Sequence, residues 1–258
     1  MWRIVLSGAV TLIFMGLFSS AQAHFQSLLP SADIIQNQAS SRIAFDIRFT
    51  HPMEAGPVME MDEPRQFGVL LSGKKIDLKS SLVRKKIDGH AAYSAEYTVA
   101  APGDHVFYIE PAPYWEAVEK KSIVHFTKVV IDGFGAEQGW DELVGFPVEI
   151  QPLVRPYGLW TGNLFRGVVL KEGKPLPHAV IEVEYWNQEK KVAIPAAPFV
   201  TQIVKADAQG VFAYSMPIAG WWGFAALVDE ERLSKTDANH GEVRELGGLI
   251  WVRVEDMR

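Results

Sequence analysis

The chain has 258 residues, with 25 Lys and Arg against 31 Asp and Glu, a formal net charge of −6 and no cysteine. No basic stripe runs through it, which argues against nucleic acid as a partner. The absence of thiols excludes disulfides and cysteine chemistry, so any metal site must use His, Met, carboxylate or a chain terminus.

The first element is a leader. Arg3 is followed by the apolar run Ile4–Ser20, which is short for a membrane span. Ala21 and Ala23 sit at the small-residue positions of an A-x-A cleavage site. The pattern predicts a signal peptide over 1–23, export, cleavage after Ala23 and a soluble product that begins at His24. An uncleaved anchor is the alternative, but no stop-transfer charge cluster follows.

After the leader, strand patterns dominate. Arg42–Phe49 alternates, with Ile43, Phe45, Ile47 and Phe49 on one face. Ala92–Val99 repeats the alternation, and Pro102-Gly103-Asp104 is a turn feeding a strand over His105–Glu110. Ser122–Asp132 is apolar on both faces, as in a strand covered from both sides. Ser72-Gly73 and Asp88-Gly89 read as hairpin turns. The stretch Glu149–Asn163 holds two prolines and two glycines and marks a break, after which strand signals restart. Val180 and Glu182 fall on the face opposite Ile181 and Val183. Asp207–Gly210 is a turn, and Ala219–Leu227 opens another strand in which one of Trp221 and Trp222 packs inward and the other points outward. Asp229-Glu230-Glu231 reads as a solvated turn. No segment shows sustained helical periodicity. The expected fold is all-β, two β-sandwich domains in tandem over 24–155 and 156–258.

The segment Thr50–Gln66 has no periodicity and exceeds the roughly 12–15 residues at which an unstructured loop becomes uncommon in a compact domain. It carries His51, Met53, Glu54, Met59, Met61, Asp62 and Glu63, a mixture of imidazole, thioether and carboxylate that suits metal ligation. The bland reading is a mobile acidic loop whose methionines fill gaps. Cleavage after Ala23 would free an α-amine on His24, and that amine with its own imidazole Nδ1 closes a six-membered chelate on a metal. His51, at a strand end and expected to be held yet accessible, is the first candidate for a further ligand. His125 is the second; it shares a face with Ile123, Val129 and Ile131, where an interior histidine is the commoner outcome. Glu110 and Glu116 are acids beside aromatics, and Tyr114 and Trp115 offer an apolar wall. His90, His105, His178 and His240 sit in or beside turns and are expected to face solvent. No catalytic signature such as G-x-S-x-G, H-E-x-x-H or a Gly-rich phosphate loop is present, so no enzymatic activity is expected.

Two resemblances add to this. Gly167-Val168-Val169, Gly173-Lys174-Pro175-Leu176 with Ala179–Val183, and Asp207–Phe212 resemble the transthyretin-like, carboxypeptidase-regulatory-like sandwich domains. The post-cleavage His24 start, His51–Val69, Pro111–Glu116, Ile123–Asp132 and Val204–Leu227 resemble periplasmic accessory components of nickel or cobalt uptake systems of the energy-coupling-factor kind. That second resemblance implies a periplasmic domain that captures a divalent ion, Ni²⁺ or Co²⁺, beside membrane transporter subunits. It implies metal roles for His24, His51 and His125, with Glu116 and Met61 as weaker candidates. A copper-binding periplasmic carrier or copper oxygenase with an N-terminal histidine chelate is a second reading. A structural or adhesion sandwich without metal is the third.

Overall fold

The computed structural model describes residues 24–231 and 243–258, so Ala21, Ala23, the leader and His240 lie outside the described residues. Strands in the first half are β1 (Phe25–Pro30), β2 (Ile34–Ile35), β3 (Arg42–Thr50), β4 (Gln66–Leu71), β5 (Lys74–Asp77), β6 (Val83–Ile87), β7 (His90–Thr98), β8 (Gly103–Glu110), β9 (Tyr114–Glu116) and β10 (Lys121–Gly133). The second half supplies β11 (Val148–Pro152), β12 (Leu159–Trp160), β13 (Leu164–Lys171), β14 (Lys174–Pro175), β15 (Val180–Tyr185), β16 (Gln202–Lys205), β17 (Val211–Ser215), β18 (Gly220–Glu231) and β19 (Val243–Glu255). Three short 3₁₀ turns are the helical pieces among the described residues. The chain is all-β, as its alternation predicts.

The strands form one long central sheet with a smaller sheet on each face. The central order is β16-β15-β18-β19-β10-β8-β4-β5, with β2 and β9 beside β10 and β12 beside β19. β10 and β19 run parallel, in register from Lys121 opposite Val243 to Val129 opposite Trp251. That pairing joins strands of the two halves into one sheet. A four-stranded layer, β1-β3-β7-β6, covers one face, and a second layer built on β11, β13, β14 and β17 covers the other.

Side-chain parity explains the two cores. On β10, Ile123, Val129 and Ile131 pack with Phe25, Ile47 and Trp251 under the first layer. Val124, Phe126 and Val130 pack with Phe165, Phe224 and Ile250 under the second. A strand covered on both faces needs apolar residues at every position, which is why β10 loses the alternation that β3 keeps. The sheet's β5 edge carries Lys74 and Lys75, charges that discourage further strand pairing.

Three sequence expectations change. Trp221 and Trp222 do lie on opposite faces, but both faces are covered: Trp222 is buried in one core and Trp221 packs against the other. Asp229–Glu231 is not a turn but the end of β18, where Asp229 and Glu230 stand opposite Glu245 and Arg244 of β19. His105 does not face solvent. It is fully buried on the inward side of β8, its Nδ1–H donating to the Gly103 carbonyl at 2.9 Å. Burial pushes its imidazole below the usual histidine range.

The segment after β3 is anchored rather than loose. Met59 bridges back to Phe49, Met53 joins the core under the second layer, and Met61 joins the other. The Met53 amide donates to Glu184 Oε2 at 3.0 Å, and Asn187 Nδ2 donates to the Met53 carbonyl at 3.1 Å. The second half of the chain therefore pins a loop of the first.

Candidate metal site

The β1–β3 register sets the site. Phe25 pairs with Thr50 in an antiparallel ladder, so the next residues outward, His24 and His51, come opposite one another. Their ring centroids are 4.8 Å apart. Gly56 allows this placement of His51, since a Cβ there would come within 2.9 Å of the His51 Cβ. β9 brings the third element. Glu116 pairs with Lys121 and Tyr114 with Ile123, which sets Glu116 and Tyr114 on the β10 face that also carries His125. The rings of His24 and Tyr114 lie 6.1 Å apart, and Phe49 contacts both His24 (5.6 Å) and His125 (5.7 Å).

Each of two histidines has one ring nitrogen held by a carboxylate. His24 Nε2–H donates to Glu116 Oε2 at 3.1 Å, and Glu116 Oε1 accepts the Val118 amide at 3.0 Å. His125 Nε2–H donates to Glu245 Oε1 at 3.1 Å, while Lys121 Nζ lies 2.5 Å from Glu245 Oε2. In both rings the nitrogen left for a metal is Nδ1. A metal-ligating histidine commonly has its other N–H on a carboxylate, which fixes the tautomer and raises the ring's basicity. The His125 Nδ1 is buried without a hydrogen-bond partner, a cost tolerated where an atom serves another purpose.

Electrostatics keep the His24 ring neutral. Burial, then the nearby charges of His51 and His125, push its pKa down to about 4 against the pull of Glu116 and Glu119. A neutral ring at pH 7 has a lone pair to offer. Burial would raise the Glu245 carboxyl, but His125 and then Lys121 beside it hold it at about 2, so it stays an acceptor.

Of the five candidates from the sequence, His24, His51, Glu116 and His125 come together. His51 is buried, not accessible as expected, because Gly56 and the packed loop close over it. Glu116 sits as the carboxylate that orients His24. Met61 is buried one step away, its sulfur 3.9 Å from Gln26 Nε2, and lines with His125 a cavity of about 300 Å³. Among the described residues, no three His, Asp or Glu side chains already stand in coordinating geometry. With residues 1–23 attached, the His24 nitrogen is an amide, so the amine donor arises only on cleavage. His90 and His178 are exposed as expected.

A family described as a domain of unknown function, DUF4198, matches residues 21–230. The chain belongs to the DUF4198 family. Its DUF4198 segment takes in His24, His51, Glu116 and His125 and stops before Glu245. No curated protein matches. Similar solved structures include the D0–D1 domain of intimin, at 10% identity over 88% of this chain and 99% of that one, TM-score 0.23. The adhesin InvE of Yersinia pseudotuberculosis matches at 12% over 87% and 58%, TM-score 0.25, and a chimeric titin Z1Z2 at 8% over 92% and 98%, TM-score 0.23. Overlaps this slight carry no functional argument.

Sequence reasoning missed Glu245. Its own strand, β19, begins more than a hundred residues after β10 ends, and no local pattern announces a parallel pairing. One signal was present: Gly247-Gly248 inside an apolar strand, where glycine marks close approach. A Cβ on Gly247 would come 2.4 Å from His125 Cδ2.

Proposed function

We propose that this DUF4198 protein is a periplasmic metal-capture module that holds one divalent ion, Ni²⁺ or Co²⁺, and passes it to membrane transporter subunits. The ion is cargo, not a resident cofactor, and no catalysis is involved. The observation that carries the reading is the convergence of His24, His51 and Glu116 beside His125, from four separate segments, with two of the three rings turned by carboxylates so that Nδ1 is left over. Cleavage after Ala23 completes the donor set, because the α-amine of an N-terminal residue has a pKa near 8 and yields its proton to a metal. His24 then supplies amine and Nδ1, with His51 and His125 as further nitrogen donors. Glu116 positions His24, and Met61 is a soft donor at the margin. The second half, read as a transthyretin-like sandwich, braces the site through β19.

Nitrogen donors of this kind bind copper more strongly than nickel or cobalt. The same amine-and-imidazole set therefore also supports a copper carrier, and metal content after expression in the native host separates the two.

The deciding experiment moves the amine. Inserting one glycine between Ala23 and His24 gives an exported protein that begins Gly-His. Isothermal titration of the unaltered exported protein shows one tight divalent site, and the insertion weakens it at least a hundredfold. Equal affinity in the two proteins would end the N-terminal chelate.

A further inference from the structure

The cavity beside His125 is larger than an ion requires. About 300 Å³ is the lower end of the range for small-molecule sites. One of its lining residues is Gln26, which is fully buried. The Gln26 amide nitrogen donates to the carbonyls of Ser27 at 2.9 Å and Arg48 at 3.0 Å. Carbonyls only accept, so the amide orientation is fixed and Oε1 is the end left over; it has no partner. Among the lining residues His125 Nδ1 is the second buried polar atom without one, and in the neutral ring, whose Nε2–H goes to Glu245, it too is an acceptor. Two buried acceptors call for a ligand that brings an N–H donor and an electron-pair acceptor such as a metal.

The rest of the lining narrows the class. Phe49, Tyr114, Trp115 and the prolines 111 and 113 give flat apolar walls suited to a ring. Glu60 and Asp62 are the charged groups in the lining, and no Lys or Arg lines it, so a carboxylate-rich chelator has no counter-charge there. Glu60 already accepts from the Ala91 amide and from Arg84, which leaves little field to demand a strong cation.

We propose that this cavity takes a small neutral nitrogen heterocycle of the imidazole type, which donates its N–H to Gln26 Oε1 and turns its other nitrogen to the captured ion. The cargo is then a metal already carrying one organic nitrogen ligand, not the bare hydrated ion. The second clause rests on the capture reading; the occupancy of the cavity does not.

The test uses the exported protein, its N-terminus verified by mass spectrometry, at pH 8.5 where both heterocycles are neutral. Imidazole titrated into metal-free protein binds with a Kd of about 1 mM, what so small a ligand can reach. 1-Methylimidazole, which has no N–H, binds at least tenfold more weakly, and citrate does not bind. Gln26→Leu and Trp115→Ala each weaken imidazole at least fivefold. Should Gln26→Leu fail to fold, half-exposed Trp115 and the methylated probe decide the matter. No imidazole binding, equal binding of the two heterocycles, or indifference of Trp115→Ala overturns the proposal. Nickel is titrated into the same wild-type protein in parallel. A flat nickel trace with intact imidazole binding removes the capture reading and leaves the cavity assignment standing.

Discussion

Strand β10 carries two buried base–acid pairs three residues apart, one on each face. Lys128 Nζ lies 2.6 Å from Glu149 Oε1, and Glu149 also accepts from the amides of Val144, Gly145 and Phe146 at 2.9, 2.8 and 3.2 Å. Burial pushes the Lys128 ammonium below the usual lysine range while Glu149 pulls it back. Both carboxylate oxygens of that pair are engaged. His125 and Glu245 form the other pair at 3.1 Å, and there His125 Nδ1 remains without a partner. Burial of ionisable groups is thus no mark of function by itself. A satisfied pair locks the fold, whereas a pair that orients a ring and leaves one atom over has the form of a site.

The sharpest way to break this contrast is to delete each carboxylate. Glu149→Ala strands a buried lysine and three amides together, and removing one member of a buried pair costs about 3–5 kcal/mol. Lys128→Met costs less, because Glu149 keeps its three amide donors. Urea unfolding checks the order, and metal affinity measured on the folded fraction stays at the wild-type value in both. A large loss of metal affinity in Lys128→Met would erase the distinction between the two faces.

Glu245→Gln sharpens the comparison from the other side. The amide oxygen still accepts from His125 Nε2–H, but the charge that polarises the ring is gone. Loss of such a supporting carboxylate typically lowers metal affinity about 10–100-fold. Stability falls by less than in Glu149→Ala: the amide nitrogen then faces Lys121 Nζ, donor to donor, but Lys121 keeps Glu119 at 2.5 Å. Metal titration beside a thermal melt reads both, and unchanged affinity would make Glu245 a packing residue.

The same two pairs show what the sequence can tell. The alternation of β3 and the double-faced burial of β10 follow from local periodicity, and both are present in the fold. His24, His51 and His125 were readable because their residue types are scarce and chemically distinctive. Glu116 was visible as an acid, though its role as a carboxylate holding His24 depends on the β9–β10 register. Glu245 and Glu149 were not readable as partners of β10. Glu245 meets β10 through the parallel ladder of the central sheet and Glu149 reaches it from β11 in another layer, and charge patterns encode neither contact. The continuous central sheet was hidden for the same reason: its joint is the parallel β10–β19 ladder, formed by residues far apart in the chain.

Glu184 offers the most selective prediction, and it tests which class a third buried acid belongs to. Its oxygens accept from the Met53 amide at 3.0 Å and from Thr201 Oγ1 at 2.6 Å, so it ties the loop behind His51 to β15. Burial, reinforced by Glu182 and Glu54, raises its carboxyl from 4.5 to about 8 despite those hydrogen bonds. The folded chain therefore holds one more proton than the unfolded chain between those values. The stabilisation is complete below the unfolded pKa and drains away as pH rises through the folded one. Glu184→Gln copies the protonated form: its amide oxygen accepts from Met53 and its amide nitrogen donates to Thr201. Urea midpoints for the two proteins should nearly coincide at pH 5, and the variant should become the more stable by pH 8.5. A gap that is the same at both pH values would mean that Glu184 is ionised in the fold. It would then be held as Glu149 is, by donors that compensate its charge.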